Sequence, residues 1–174
     1  SDVCSSDLGL RVVRVKTYIA ANEGVLWRSL DFLSFLATGF AAAVVQSKPD
    51  VVIATSPQFF AAVAGWATGL LRRRPFIFEL GDLWPASIAA VGVGLPRLLL
   101  RFLEHWELFL YRRSAAIVAL TASFKENLIR RGISAQKISV VINGVDLPRY
   151  APRPRDEALA AQWGLGGKVV VGYV

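Results

Sequence analysis

Short apolar runs alternate along this chain with longer segments of helical spacing, and this alternation limits the possible folds more than any other feature. Val51–Thr55 and Phe76–Leu80 have the length and the β-branched or aromatic composition of buried strands. The segment between them opens with Pro57 and closes with three arginines, as a helix does. Strand, helix and strand in this order are typical of a βαβ unit. The pattern predicts an α/β fold built on a parallel sheet with helices on both faces.

The same alternation predicts the other helices and strands. Helices are expected over residues 24–46, 58–71, 96–113, 124–131 and 156–163, and strands over 11–16, 51–55, 76–80, 115–120, 137–142 and 168–174. The first helix is expected to be mostly buried. Asn143 and Gly144 predict a tight turn with a positive φ. Residues 1–8 are polar and unpatterned, so they are predicted to be non-native or disordered.

The loop after the Phe76 strand is the first candidate for chemistry. Gly81 and Pro85 end the strand, which leaves Glu79 and Asp82 at its carboxyl end. Open parallel sheets bind ligands in the crevice at this end, which favours a chemical role for both carboxylates. A packing role remains open, in which Asp82 caps the following turn and Trp84 fills a gap.

Two hydroxyls follow the next buried strand. Thr121 and Ser123 lie at the start of a predicted helix, where free backbone N–H groups can bind an anion. Either residue could instead be the N-cap of that helix, and the two roles do not exclude each other. His105, the single histidine, lies in the middle of a helix beside an apolar stripe and is interpreted as structural.

The composition indicates that part of the protein surface contacts a partner. The chain is 54% hydrophobic with a mean hydropathy of +0.45, which is more apolar material than one core of 174 residues needs. The 20 Lys and Arg residues outnumber the 13 Asp and Glu residues, and arginine clusters close several apolar helices. Such clusters suit helix carboxyl ends or an anionic lipid surface. They share no helix face and no stacking motif, which disfavours nucleic acid as a partner.

Cysteine and histidine are too few for several kinds of site. Cys4 alone cannot form an internal disulfide, and with one histidine the usual soft metal ligands are missing, so we expect no metal and a reducing compartment. The longest weakly charged stretches, 32–45 and 59–71, are shorter than a bilayer span. They are predicted to be buried or interfacial helices.

Three motifs in order resemble a known family. Glu79–Ser87, Tyr111–Leu128 and Val141–Asp146 are similar to the N-terminal half of a family-four glycosyltransferase, and most similar to bacterial O-antigen, colanic-acid and fucosamine transferases. In one position the chain departs from the pattern, because many relatives carry His or Arg where this chain has Gly81. A histidine-type contact is therefore not expected there.

The resemblance implies the GT-B fold, in which two Rossmann-like domains face each other across a cleft. The first domain holds the acceptor and the second holds the nucleotide-sugar donor. The sugar is transferred with retention, usually without a bound metal, and no cofactor is expected. On this basis residues 9–146 are expected to form the Rossmann-like acceptor domain without its first strand. Residues 147–166 are expected to be a linker, and 167–174 the first strand of a donor domain, so the chain is expected to be incomplete at both ends and inactive by itself.

The resemblance also implies residue roles. Asp82 is expected to be the catalytic polar contact, and the other substrate contacts are expected at Glu79, Trp84, Thr121, Ser123, Asn143 and Gly144. The expected acceptor is lipid-linked or a polysaccharide, and the expected location is the cytoplasmic face of the plasma membrane, with peripheral contact to anionic lipid.

Two other functions remain possible at this level. One is a non-catalytic α/β module that binds a membrane or a protein. The other is part of a GT-B sugar-nucleotide epimerase. Histidines and carboxylates at several strand ends would favour the epimerase, and the mid-helix position of His105 does not.

Overall fold

The computed structural model of the protein describes residues 2–5, 11–19, 25–56, 58–84 and 96–171. The chain divides into two compact units, residues 1–142 and residues 143–174. The first unit contains β1 (Asp2–Ser5), β2 (Arg11–Arg14), α1 (Val25–Val45), β3 (Val52–Thr55), α2 (Phe59–Arg72), β4 (Phe76–Leu80), α3 (Arg97–Arg113), β5 (Ala116–Ala119), α4 (Ala122–Arg130), a 3₁₀ turn (Ala135–Lys137) and β6 (Ile138–Val140). The second unit contains α5 (Glu157–Gln162).

Four strands form the parallel sheet that the sequence predicts. Their order is β3-β4-β5-β6, and each neighbouring pair is parallel. This confirms the Rossmann-like α/β fold class. The strands are added in one direction, so right-handed crossovers place α2, α3 and α4 on the same face.

Side-chain alternation along the strands separates the two faces of the sheet. Phe76, Phe78 and Leu80 of β4 are buried in one core with side chains of the helices, namely Phe59 of α2, Leu110 and Tyr111 of α3, and Leu128 of α4. Successive strand residues point to opposite faces, so Ile77 and Glu79 lie on the other side. Ile53 of β3 also lies there and is 59% exposed. Helices α2, α3 and α4 therefore cover one face. Within the first unit, no other described helix is seen to cover the second face.

Residues 2–5, which the sequence pattern leaves out of the fold, form β1. This strand pairs antiparallel with β2, with Asp2 opposite Arg14 and Ser5 opposite Arg11. Strand pairing uses backbone groups, so the polar composition that suggested disorder does not prevent it.

Two apolar helices are only partly buried, and the first of them was predicted to be mostly buried. α1 packs against α2, yet Trp27, Leu30, Leu33 and Val45 along its outer side are exposed. In α3 only the second half is buried, through Glu107, Leu110 and Tyr111. Its first half lies beyond the core. Leu99 and Phe102 in this first half are 40% and 57% exposed.

Basic side chains hold the carboxyl ends of two helices. The Arg72 guanidinium donates to the carbonyls of Val44 and Gln46 at the end of α1, at 3.0 and 2.9 Å. The Lys137 ammonium donates to the carbonyls of Tyr111 and Arg112 at the end of α3. These cations satisfy carbonyls that have no partner within the helix. Burial lowers the pKa of Lys137.

The second unit differs from its prediction in two places. Residues 168–171 form no strand, because the described part of this unit contains no other strand with which they could pair. In this unit positive φ angles occur at Gly164 and Gly167, and the positive φ predicted for the Asn143–Gly144 turn is wrong. The predicted short helix is present as α5, and the Asp156 carboxylate accepts from the Leu159 N–H at 2.9 Å.

Within the described residues, no helix combines the length and the apolar character that a membrane span requires.

Candidate functional site

Three strand ends bring polar residues to one edge of the sheet, which we call the carboxyl edge. The Ser56 N–H, just after β3, donates to the Glu79 carbonyl at 2.9 Å, and the Leu120 N–H, just after β5, donates to the Leu80 carbonyl at 3.2 Å. These bonds continue the ladder past the end of each strand. The carboxyl edge therefore collects Ser56, the turn after β4 and Thr121.

The Ser56 hydroxyl organises the turn after β4. Its oxygen accepts from the N–H groups of Gly81 at 3.0 Å and Asp82 at 3.3 Å, and the hydroxyl lies 3.3 Å from the Asp82 carbonyl, to which it donates. Ser56 is only 4% exposed. One buried hydroxyl thus joins two strand ends that are 25 residues apart in sequence.

Gly81 lies so close to β3 that a side chain does not fit. A Cβ atom at this position would lie 2.8 Å from the Ser56 carbonyl oxygen, which belongs to the backbone and cannot swing away. Where many relatives were expected to carry His or Arg, this turn therefore needs a glycine, and the reason is the close approach of the two strand ends.

The two predicted carboxylates occupy different positions at this edge. Glu79 is exposed on the uncovered face of the sheet, in register with Thr55 and Val118. Asp82 is half-buried in the turn. Among the described residues, neither carboxylate takes part in a hydrogen bond or an ion pair, so both are available to a ligand there.

Trp84 is packed beneath the same turn. Its ring stacks on Phe59 at the start of α2, with centroids 4.8 Å apart and planes inclined by 16°. The stacking anchors the segment that follows Asp82 to the helix layer. Residues 85–87 of the same motif lie outside the described residues.

Thr121 caps α4. Its hydroxyl oxygen accepts from the Phe124 N–H at 3.2 Å, which is one of the two roles that the sequence left open. Ser123 is exposed in the first turn of α4. Both hydroxyls lie at the carboxyl edge, next along the sheet from the Asp82 turn.

Two of the predicted contacts lie in the second unit. Asn143 and Gly144 belong to the second unit, where both are exposed and in no regular element. Space around Gly144 is open, since no atom lies within 4 Å of a Cβ placed there. His105 is exposed on α3.

Ser56 is the residue that reasoning from the sequence missed. The available signal was its position, since it follows β3 as Gly81 and Asp82 follow β4, and adjacent parallel strands end at the same edge. Among the described residues, no group of three or more His, Cys, Asp or Glu side chains could hold a metal ion.

A second polar cluster lies between α3 and α4, and we call it the Glu107 cluster. The Tyr111 hydroxyl donates to Glu107 Oε1 at 2.7 Å, and Arg131 forms an ion pair with Glu107 Oε2 at 2.5 Å. The Glu107 side chain is 2% exposed. Burial raises the pKa of Glu107, although the bonds from Tyr111 and Arg131 act in the opposite direction. Burial and the neighbouring carboxylate raise the pKa of Tyr111.

Comparison with known proteins assigns this chain to a family. The family described as Glycosyl transferase 4-like domain matches residues 2–144. A GDP-mannose-dependent alpha-mannosyltransferase of Mycobacterium tuberculosis is 33% identical over 129 residues, which are 72% of this chain and 32% of that protein. The chain thus spans about a third of the length of this relative.

Solved structures share the fold. A crystal structure of Anabaena HepE in complex with UDP-glucose matches with a TM-score of 0.55 and 21% identity, over 83% of this chain and 35% of HepE. HepE in complex with UDP matches with a TM-score of 0.53 and 24% identity, over 78% of this chain and 34% of HepE. At this identity the likeness concerns the fold alone.

Proposed function

This chain belongs to the Glycosyl transferase 4-like domain family, and from that premise we propose that it forms the acceptor-side domain of a retaining glycosyltransferase. The observation that carries the proposal is the carboxyl edge. There the turn with Asp82 is held against β3, and its carboxylate has no hydrogen-bond or ion-pair partner among the described residues. A fixed carboxylate at this edge of a parallel sheet suits binding of sugar hydroxyls. Glu79, Trp84, Thr121 and Ser123 complete the acceptor side.

The donor in this proposal is a nucleoside-diphosphate sugar. The mycobacterial relative is named for GDP-mannose, and the HepE structures contain UDP-glucose or UDP, which supports this class without selecting the base or the sugar. The donor binds a second domain that residues 167–174 begin, and Asn143 and Gly144 line the cleft ahead of a linker at 147–166. The isolated chain of 174 residues is therefore inactive.

Calorimetry tests the assignment of the donor. UDP-glucose and GDP-mannose titrated into the 174-residue chain should give no saturable heat. A micromolar dissociation constant for either nucleotide sugar would place a donor site in this domain and overturn the division of roles.

Asp82→Asn tests the proposal directly in the complete transferase that contains this chain. The substitution keeps the size and removes the charge, so contacts worth roughly 1.5–3 kcal/mol are lost and turnover should fall about ten- to a hundredfold. The melting temperature should hardly change. Asp50→Asn is the matched control, because Asp50 is an exposed carboxylate next to β3 at the opposite edge of the sheet. Unchanged turnover of Asp82→Asn, with a lowered melting temperature, would make Asp82 a structural residue only.

The acceptor in this proposal is lipid-linked or a polysaccharide, and the enzyme acts at the cytoplasmic face of the membrane. Leu98, Leu99 and Phe102 are exposed on the first half of α3, beside the exposed Arg97 and Arg101. Apolar and basic side chains on one helix suit the interface of an anionic bilayer, where each cation contributes about 1 kcal/mol.

Vesicle co-sedimentation tests the membrane contact. Binding should require anionic lipid and should weaken as salt rises. Replacing Arg97 and Arg101 together by Gln should lower it, whereas Arg153→Gln in the second unit should not. Equal binding to neutral vesicles would contradict the electrostatic attraction. Vesicle binding by a complete protein that transfers no sugar would favour the non-catalytic module instead.

A further inference from the structure

Ser56 joins the ends of β3 and β4 through both its backbone and its side chain. Its N–H donates to the Glu79 carbonyl at 2.9 Å, and its hydroxyl oxygen accepts from the Gly81 N–H at 3.0 Å and the Asp82 N–H at 3.3 Å. Its hydroxyl also lies 3.3 Å from the Asp82 carbonyl. The 4% exposure of Ser56 leaves little room for water to replace these bonds.

We propose that Ser56 is the positioning residue for Asp82. Its hydroxyl fixes the backbone of the Gly81–Asp82 turn, and the backbone sets the point from which the Asp82 carboxylate meets the acceptor. The role in catalysis rests on the proposed function, because that function gives Asp82 its task. The fixing of the turn does not rest on it.

The hydrogen-bonding groups of the turn require a hydroxyl side chain at position 56. Two N–H groups need an acceptor and one carbonyl needs a donor, and a single hydroxyl supplies two lone pairs and one proton. Alanine supplies neither. Threonine carries the same hydroxyl, so Ser56→Thr keeps both lone pairs and the proton.

Ser114 provides a matched control at the other end of the sheet. It is 3% exposed, and its hydroxyl donates to the Tyr111 carbonyl at 2.8 Å, just before β5 begins. Ser114→Ala therefore removes the same buried group as Ser56→Ala, but it leaves the carboxyl edge untouched.

Amide hydrogen exchange measures the fixing of the turn. In Ser56→Ala, exchange of the Gly81 and Asp82 amides should accelerate about tenfold or more, because each loses its acceptor. Amides inside β4 should keep their rates. Ser56→Thr retains the hydroxyl and should stay close to wild type, and Ser114→Ala should not alter the Gly81 and Asp82 rates. Unchanged exchange of these two amides in Ser56→Ala would overturn the inference.

Turnover of the complete transferase tests whether Ser56 acts through Asp82. Ser56→Ala should lower kcat about tenfold with an unchanged KM for the nucleotide-sugar donor, and Ser56→Thr should restore it. In an Asp82→Asn background, Ser56→Ala should have no further effect. An equal loss in both backgrounds would show that Ser56 does not act through Asp82. A wild-type protein that transfers no sugar would defeat the proposed function, whereas the exchange rates would still decide whether Ser56 fixes the turn.

Discussion

The carboxyl edge and the Glu107 cluster use polar side chains in opposite ways. In the Glu107 cluster, each charged or hydroxyl group binds another side chain, so Glu107, Tyr111 and Arg131 satisfy one another inside the protein. At the carboxyl edge the Ser56 hydroxyl binds backbone groups, and the carboxylates of Glu79 and Asp82 have no bonded partner among the described residues.

The two regions therefore differ in role: one stabilises the fold, and the other can bind a ligand. A charge that is already paired and buried can stabilise the fold but is not available to a ligand, and removing its partner is costly. A carboxylate that has no bonded partner, on a turn held by backbone hydrogen bonds, contributes little to folding and can bind a ligand with little reorganisation. The perturbed pKa values of Glu107 and Tyr111 therefore mark a structural network, although such shifts often mark active sites.

Glu107→Ala should have the largest effect on stability. It leaves the partly buried Arg131 guanidinium and the Tyr111 hydroxyl without their partner, and the free energy of unfolding should fall by about 3–5 kcal/mol in urea titrations. Glu104→Ala, one turn earlier and exposed, should change it by less than about 0.5 kcal/mol. Similar losses for the two variants would mean that the Glu107 cluster does not stabilise the fold.

Gly81→Ala should come second and should affect both stability and turnover. The added methyl meets the Ser56 carbonyl oxygen, so the strand ends must separate, at a cost of about 1–3 kcal/mol. Gly166→Ala is the control, because no atom lies within 4 Å of a Cβ there. If Gly81→Ala unfolds at the same urea concentration as the wild type, the close approach of β3 and β4 does not require glycine at this position.

Thr121→Ala should have a smaller effect. It removes the cap of α4 and should lower the free energy of unfolding by about 1 kcal/mol, whereas Thr121→Ser should retain the cap. Turnover per folded molecule then separates the two roles of this residue. A loss of turnover in Thr121→Ala alone would assign its hydroxyl to the acceptor as well, and unchanged turnover would restrict it to capping.

The pH dependence of stability should show the smallest effect. Burial raises the pKa of Glu107 above its usual 4.5, so the folded protein holds this proton more tightly than the unfolded chain does. The resulting stability is fully present below the usual pKa and is lost as pH rises through the raised one. The free energy of unfolding of wild type minus that of Glu107→Gln should therefore fall as pH rises above 4.5. A difference that rises with pH above 4.5 would reverse the assigned direction.

Much of the fold and part of the site could be predicted from local sequence. Val51–Thr55 and Phe76–Leu80 were predicted within a residue because their composition and flanking breakers are local signals. The position of Asp82 at a strand end followed from the same signals. The first helix was predicted to be mostly buried, but Leu30 and Leu33 are exposed. Helical spacing reports which residues share a face and not whether another element covers that face.

The sequence by itself determined the order of strands and helices, the parallel sheet and the edge at which the polar motifs gather, because each depends on periodicity and breakers within a few residues. Only the tertiary structure decided which charges are satisfied and which remain available. Arg72 reaches the end of α1 from 28 residues away, Arg131 reaches Glu107 from 24, and Ser56 reaches Gly81 from 25. Such contacts depend on how elements pack in space, and the spacing of residues along the chain does not encode that packing.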